Sequence, residues 1–198
     1  MAHGHEHGHG IMEGENKRIA ILISVLALFL AIAELLERSA QTDALSFNVE
    51  ASNLWAFYQA KTIRKTTMET AAEQMEVDVE LAKDATVKDL LAKRAKEWRD
   101  RAARYESEPK PDNKGEGRKE LMARALEAEA KRHHAMAKYH SFEFGSAAFQ
   151  IAIVLASSYL ITGVIYLLWG AAGMGGIGLV FGLVGIAAPN ALAFLGGH

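Results

Sequence analysis

Four histidines alternate with glycine at the start of the chain, as His3, His5, His7 and His9, with Glu6 among them. Neutral imidazole is a good ligand for zinc, nickel and copper. Glycine spacers make such a segment pliable enough to wrap an ion. The tail is therefore a candidate zinc or nickel site. The competing reading is a solvated tail, or a purification tag, with no metal role. A second group, His133, His134 and His140, sits in a helix-favouring stretch. His133 and His140 share a helical face, but joining them at one metal needs a partner helix or a second subunit. Beside Lys131, Arg132 and Lys138 they read better as residues at a membrane surface.

Trp55, Tyr58, Lys61, Arg64 and Lys65 form an aromatic–basic ridge in steps of mostly three residues. Such a ridge could bind phosphate, lipid headgroups or an acidic partner. Helix packing by the aromatics, with the cations in water, is the favoured alternative. Gly173-Met-Gly-Gly-Ile-Gly178 matches GxGxxG literally. A dinucleotide site needs a strand before that motif and a βαβ unit around it, and here an apolar span precedes it. The expectation is a tight turn between the second and third spans, together with small-residue packing. No nucleophile elbow, Walker loop, HExxH or paired-carboxylate signature occurs, so no enzyme activity is expected. The absence of cysteine excludes thiolate metal sites, iron–sulfur clusters and cysteine nucleophiles.

These residues lie on a sharply segregated chain. Half of its 198 residues are hydrophobic, yet the mean hydropathy is near zero. Charge is sparse in residues 19–33, 147–169 and 171–195, and dense between Arg38 and Lys138. A bilayer core of ~30 Å takes about 20 apolar helical residues. The expectation is an all-α integral membrane protein with three transmembrane helices, at 18–37, 147–169 and 171–195. A flexible His/Gly-rich tail covers 1–17. The first span also has the outline of a secretory signal peptide, but Glu13 and Glu15 are unusual for its leading region, and retention is expected. With a net charge of −2 and interleaved signs, the chain is not expected to bind nucleic acid.

Residues 38–146 form the expected extramembrane domain, a long helical coiled-coil hairpin. Met68, Ala72, Met75 and Val79 recur at four-three-four spacing, and Leu54 and Tyr58 extend that phase. The same phase puts Lys61 and Lys65 in the seam, so either the register shifts or they face something polar. A turn is expected at 83–85. Leu91, Ala95, Trp98, Ala102 and Tyr105 make the cleanest apolar stripe, and a Pro/Gly loop follows at 106–117. A third helix begins near Arg118 and, with no proline before Trp169, runs on into the second span. At ~1.5 Å per residue the ascending helix and the broken descending arm match, at about 65 and 70 Å. Within the spans, Gly178, Gly182 and Gly185, and Ala148, Ala152 and Ala156, form small-residue faces suited to helix or oligomer packing, as are Leu91, Trp98 and Tyr105 outside them. Pro189-Asn190 marks a kink or helix end.

Two stretches together resemble a known family: Ala51-Ser-Asn-Leu-Trp-Ala-Phe-Tyr-Gln-Ala-Lys-Thr-Ile-Arg64, and Phe142-Glu-Phe-Gly-Ser-Ala-Ala-Phe-Gln-Ile-Ala-Ile-Val-Leu-Ala-Ser157. The pair is similar to a bacterial membrane-protein family known only as domain of unknown function 4337, from about Asn16 to the end of the third span. The resemblance implies three spans with a helical insertion and supplies no activity. Family members commonly carry a glutamate after the glycine of the second stretch, where this chain has Ser146.

The functional expectation is a homo-oligomeric scaffold in the bacterial inner membrane. It would be embedded in the bilayer and bind copies of itself or another protein. The alternative is a metal-responsive channel or transport accessory, with the histidine tail collecting divalent cations. Arg38, Lys131, Arg132 and Lys138 outnumber Lys17 and Arg18 near span ends, which favours a cytoplasmic helical domain.

Overall fold

The computed structural model describes residues 7–111 and 115–192, and side chains over 16–111 and 115–191. Four α-helices follow in order: α1 His7–Leu81, α2 Ala85–Glu106, α3 Arg118–Thr162 and α4 Ile165–Ala187, then a short 3₁₀ turn at Pro189–Leu192. No strand occurs among the described residues. The first residues of α1 fall inside the segment read as a tail.

Helix boundaries follow local chemistry. Between Glu15 and Leu81 there is neither glycine nor proline, so nothing interrupts α1. Asp84 caps α2, its carboxylate accepting from the backbone N–H of Thr86 at 2.8 Å and of Val87 at 3.0 Å. Ser107 turns extended and ends α2 just before Pro109 and Pro111.

The turn between the second and third apolar helices corrects the sequence reading. It falls at Gly163-Val164, not in the glycine-rich stretch after Trp169. Gly163 takes φ 69°, a left-handed conformation that disfavours any residue with a Cβ. The glycines from Gly173 to Gly178 lie inside α4, where Gly175 and Gly178 allow close approach of Leu26 and Phe149 while Gly173 and Gly176 face open space. The second span accordingly ends at Thr162, and the third begins at Ile165.

The chain divides into two compact units, residues 1–44 with 133–198, and residues 45–132. In the first, α1 packs on α3 through Leu26, Ala33, Phe149 and Ala152. Phe29 and Phe149 stack with ring centroids 5.9 Å apart. Helix α4 runs antiparallel to α3. A Cβ on Gly178 would meet the Phe149 ring at 2.8 Å, and one on Gly185 would meet the Phe142 ring at 2.8 Å. Gly145 of α3 in turn faces the backbone of Gly178 and Gly182. Three helices are long and apolar enough to cross a membrane. Their outer sides leave Ile21, Leu28, Leu183 and Ile186 exposed, a pattern that water would penalise and lipid would not.

In the second unit, α1 pairs antiparallel with α2 and then with the start of α3. Ala51, Leu54, Leu121, Ala125 and Ala128 form its core, with Trp55 and Tyr58 packed against it. Burying Leu54 and Leu121 contributes roughly 1.5–3 kcal/mol each. The alanines let the α1 and α3 backbones approach closely. Further along α1, Ala72 is fully buried, with Met68, Met75 and Val79 half-buried. Arg99 of α2 grips Glu76 of α1 with two hydrogen bonds of 2.9 and 2.8 Å.

Candidate functional site

The richest polar constellation in the second unit forms where the Pro/Gly loop passes α1. It is built on the aromatic–basic ridge. Trp55 and Tyr58 meet edge to face, 5.5 Å between centroids, and the Trp55 indole N–H donates to Glu129 Oε1 at 2.8 Å. One turn on, Arg118 enters from the start of α3. Its Nη2 donates to the Tyr58 hydroxyl at 2.8 Å, its Nη1 to Glu106 Oε2 at 2.8 Å and its Nε to Thr62 Oγ1 at 2.9 Å. The guanidinium carbon also lies 4.9 Å from the Tyr58 ring centroid, within cation–π range.

The two seam lysines are answered by polar and aromatic partners. Lys65 Nζ sits 3.0 Å from Glu106 and 3.5 Å from Glu69. Lys61 Nζ is 4.0 Å from Glu116 and 5.3 Å from the Tyr105 ring centroid. Of the two ways to place these lysines, the polar environment is the one adopted, and the α1 register continues unshifted. Arg64 is exposed.

The loop itself is tied back by Glu120, which accepts from Ser107 Oγ at 2.6 Å and from the Glu108 N–H at 3.3 Å. Gly115 and Gly117 are buried beneath this contact, and a Cβ on either would collide with Glu108 and Glu120. The hydrogen bond from Lys65 holds the Glu106 carboxyl below the ordinary glutamate range. The same bond raises Lys65. Burial opposes the charge on Arg118, but its bonds to Tyr58 and Glu106 outweigh this and raise it. Glu120 is lowered in the same manner, burial being outweighed by Ser107 and backbone N–H donors. Lys61, Lys65 and Arg118 thus meet carboxylates of their own unit. Chemically the ridge is a charge-compensated clasp that fixes the α2–α3 joint on α1.

A smaller polar group lies in the first unit. Tyr139 Oη donates to Glu143 at 3.2 Å, and His140 Nδ1 lies 3.3 Å from the same carboxylate. Burial, then the Glu143 charge, pushes the Tyr139 phenol up. Buried Ser146 donates to Glu37 Oε2 of α1 at 2.9 Å. Ser146 thus acts as a hydrogen-bond donor to a carboxylate of the neighbouring helix. Every buried side-chain nitrogen and oxygen among the described residues has a partner.

The other sequence candidates divide as follows. Gly178 and Gly185 are buried against phenylalanines of α3, and Ala148, Ala152 and Ala156 are buried as well, so these faces are occupied within the chain. No side chain would block a Cβ on Gly182, whose backbone lies against Gly145. Leu91, Trp98 and Tyr105 are half-buried on the face of α2 that also carries buried Ala95 and Ala102. His133 and His134 are exposed and His140 half-buried. No metal-holding group of three or more His, Asp or Glu side chains occurs among the described residues. His3 and His5 lie outside the described residues, and so do the side chains of His7 and His9.

Sequence reasoning missed Arg118, Glu106 and Glu120. One signal was available. A cation in the first turn of a helix opposes the helix dipole, so Arg118 directly after Gly117 needs a reason outside its own helix. Glu129 and Glu37 gave no such signal.

No curated protein matches the chain, and no solved structure does. One family model does, over residues 15–188, a range that takes in both units and every helix from the first span to the end of α4. The chain therefore belongs to the family described as domain of unknown function DUF4337.

Proposed function

We propose that this chain is a homo-oligomeric membrane scaffold, anchored by its three apolar helices and associating through the helical unit of residues 45–132. One observation carries the reading. After α2 and α3 have covered one side of α1, that helix still leaves Leu45, Val49, Phe57, Ile63, Val77 and Leu81 at least half exposed in a unit otherwise rich in charge. Exposed apolar surface of this extent marks a contact site when it lies outside lipid. The inner ridge, by contrast, is neutralised within the unit and is poorly placed to recruit an acidic partner. The basic residues Arg38, Lys131, Arg132 and Lys138 favour a cytoplasmic location for the unit in a bacterial inner membrane. The metal-responsive alternative rests on the histidine tail.

The test is the native mass of untagged protein in lipid nanodiscs, with and without zinc. A defined oligomer that zinc leaves unchanged supports the scaffold. A monomer at all zinc concentrations overturns it. Assembly only with zinc puts the metal-responsive reading first.

A further inference from the structure

The exposed apolar residues of α1 belong to one regular row. Leu45, Val49, Ala56, Ile63, Val77 and Leu81 fall on a single helical face at combined three- and four-residue steps, and each of them is exposed. The positions between them in the row, Ser52, Gln59, Thr67, Thr70 and Gln74, are exposed too and carry no charge. From Leu45 to Leu81 no Asp, Glu, Lys or Arg interrupts it. The outer face of α2 is the ordinary contrast, with exposed Lys93, Lys96, Asp100 and Arg104.

We infer that this uncharged row is a self-association seam, and that its occupant is the same row of a second copy of this chain, running parallel. The inference rests on the scaffold reading and names the surface and the partner. Three observations select a second copy. The row extends about 54 Å at ~1.5 Å per residue, so its partner must be an equally long, straight helix with the same spacing. Copies inserted in one membrane in one orientation supply that helix at the same height. The row carries no charge for an acidic or basic partner to pair with. Gln59 and Gln74 each hold a donor and an acceptor, so they pair with their own counterparts at the same level, while Thr67 already donates to the Ile63 carbonyl at 2.9 Å. Gln74, now 3.4 Å from Asp78, keeps a free carbonyl for this.

The area is sufficient. A strip about 54 Å long and about 10 Å wide, the breadth of a helix, covers roughly 500 Å² on each copy. Two copies together bury about 1,000 Å², the floor for a specific interface.

The chain contains no cysteine, so single cysteines report contacts cleanly. Full-length protein in nanodiscs without zinc would carry Ile63→Cys, Val77→Cys or, as a control on the outer face of α2, Lys93→Cys. Mild oxidation is expected to give disulfide dimers at 63 and 77 and none at 93. Ile63→Glu is expected to abolish the dimer mass with unchanged helix content, since the position is exposed. An oligomer that crosslinks at neither 63 nor 77, or equally at 93, and survives Ile63→Glu overturns the seam while the scaffold reading stands. A monomeric wild-type chain overturns both.

Discussion

The guanidinium of Arg118 and the phenol of Tyr58 meet twice, once through a 2.8 Å hydrogen bond to the hydroxyl and once through the ring face at 4.9 Å. The contact joins residues 60 positions apart, and it is where α3 is fastened to α1. Arg118 also donates to Glu106 and Thr62, so one planar fork couples three segments. Lysine has no such fork.

Arg118→Ala is therefore expected to loosen the joint of α2 and α3, at a cost of about 2 kcal/mol, typical for hydrogen bonds to a charged group. Arg118→Lys should recover little of it. Limited proteolysis of the 107–117 loop and thermal melting of the full chain in nanodiscs would measure both. Melting and cleavage unchanged in Arg118→Ala would show that the clasp does not hold the joint.

The charge pair in the clasp sets a pH window. Glu106 is lowered in the folded state, so its contribution is present above the ordinary glutamate value and is lost as pH falls through its lowered folded value. Lys65 is raised, so its share is full below the ordinary lysine value and disappears as pH rises through its raised one. Both side chains keep part of their surface in solvent, 23% for Lys65 and 32% for Glu106, and the effect is accordingly modest. Glu106→Gln should flatten the acid limb of the melting-temperature curve relative to wild type. Parallel curves for the two proteins would remove Glu106 from the account.

Helix α2 begins at a side-chain cap. Asp84→Ala removes the acceptor for the Thr86 and Val87 N–H groups and should cost about 1 kcal/mol. Asp84→Asn should cost less at neutral pH, because an amide oxygen still accepts. Those bonds also hold the Asp84 carboxyl below its ordinary value, so acidification should erode the difference between wild type and Asp84→Ala. Hydrogen exchange of the first turn of α2, compared at fixed pH, resolves all three proteins.

The glycines of α4 are not equivalent. Gly178→Ala and Gly185→Ala press a methyl group into the Phe149 and Phe142 rings, and overpacking of this kind costs about 1–3 kcal/mol. Gly173→Ala meets nothing within 4 Å and should be neutral or slightly stabilising, as alanine favours helix. Gly163→Ala should destabilise for a different reason, since its φ of 69° is strained for any residue with a Cβ. Thermal unfolding in detergent micelles ranks the four. Equal losses at Gly173 and Gly178 would contradict the packing.

The helical class, the three apolar spans and the Pro/Gly break were legible because they depend on local composition. A charge-poor run long enough to cross a bilayer, a missing breaker over α1, and prolines at 109 and 111 act through neighbours a few residues away. The family resemblance was legible for the same reason, since it lies in contiguous stretches. The ridge from Trp55 to Lys65 was visible as a pattern, but its partners were not. Glu129, Arg118 and Glu106 reach it from other helices, and nothing local announces which carboxylate a given lysine will meet.

The turn at Gly163 shows the same division. By itself the sequence determined that a hydrophobic stretch rich in glycine follows Ala147, and that it is long enough for two helices of bilayer length joined by a turn. Which glycine turns was a tertiary decision. With the chain reversing at Gly163, Gly178 and Gly185 fall opposite Phe149 and Phe142, and the rings fill the space that absent side chains leave. A reversal at the glycines after Trp169 would remove them from that packing. Many glycines permit a left-handed turn, but the ring-to-glycine fit between α3 and α4 exists in the register that Gly163 supplies.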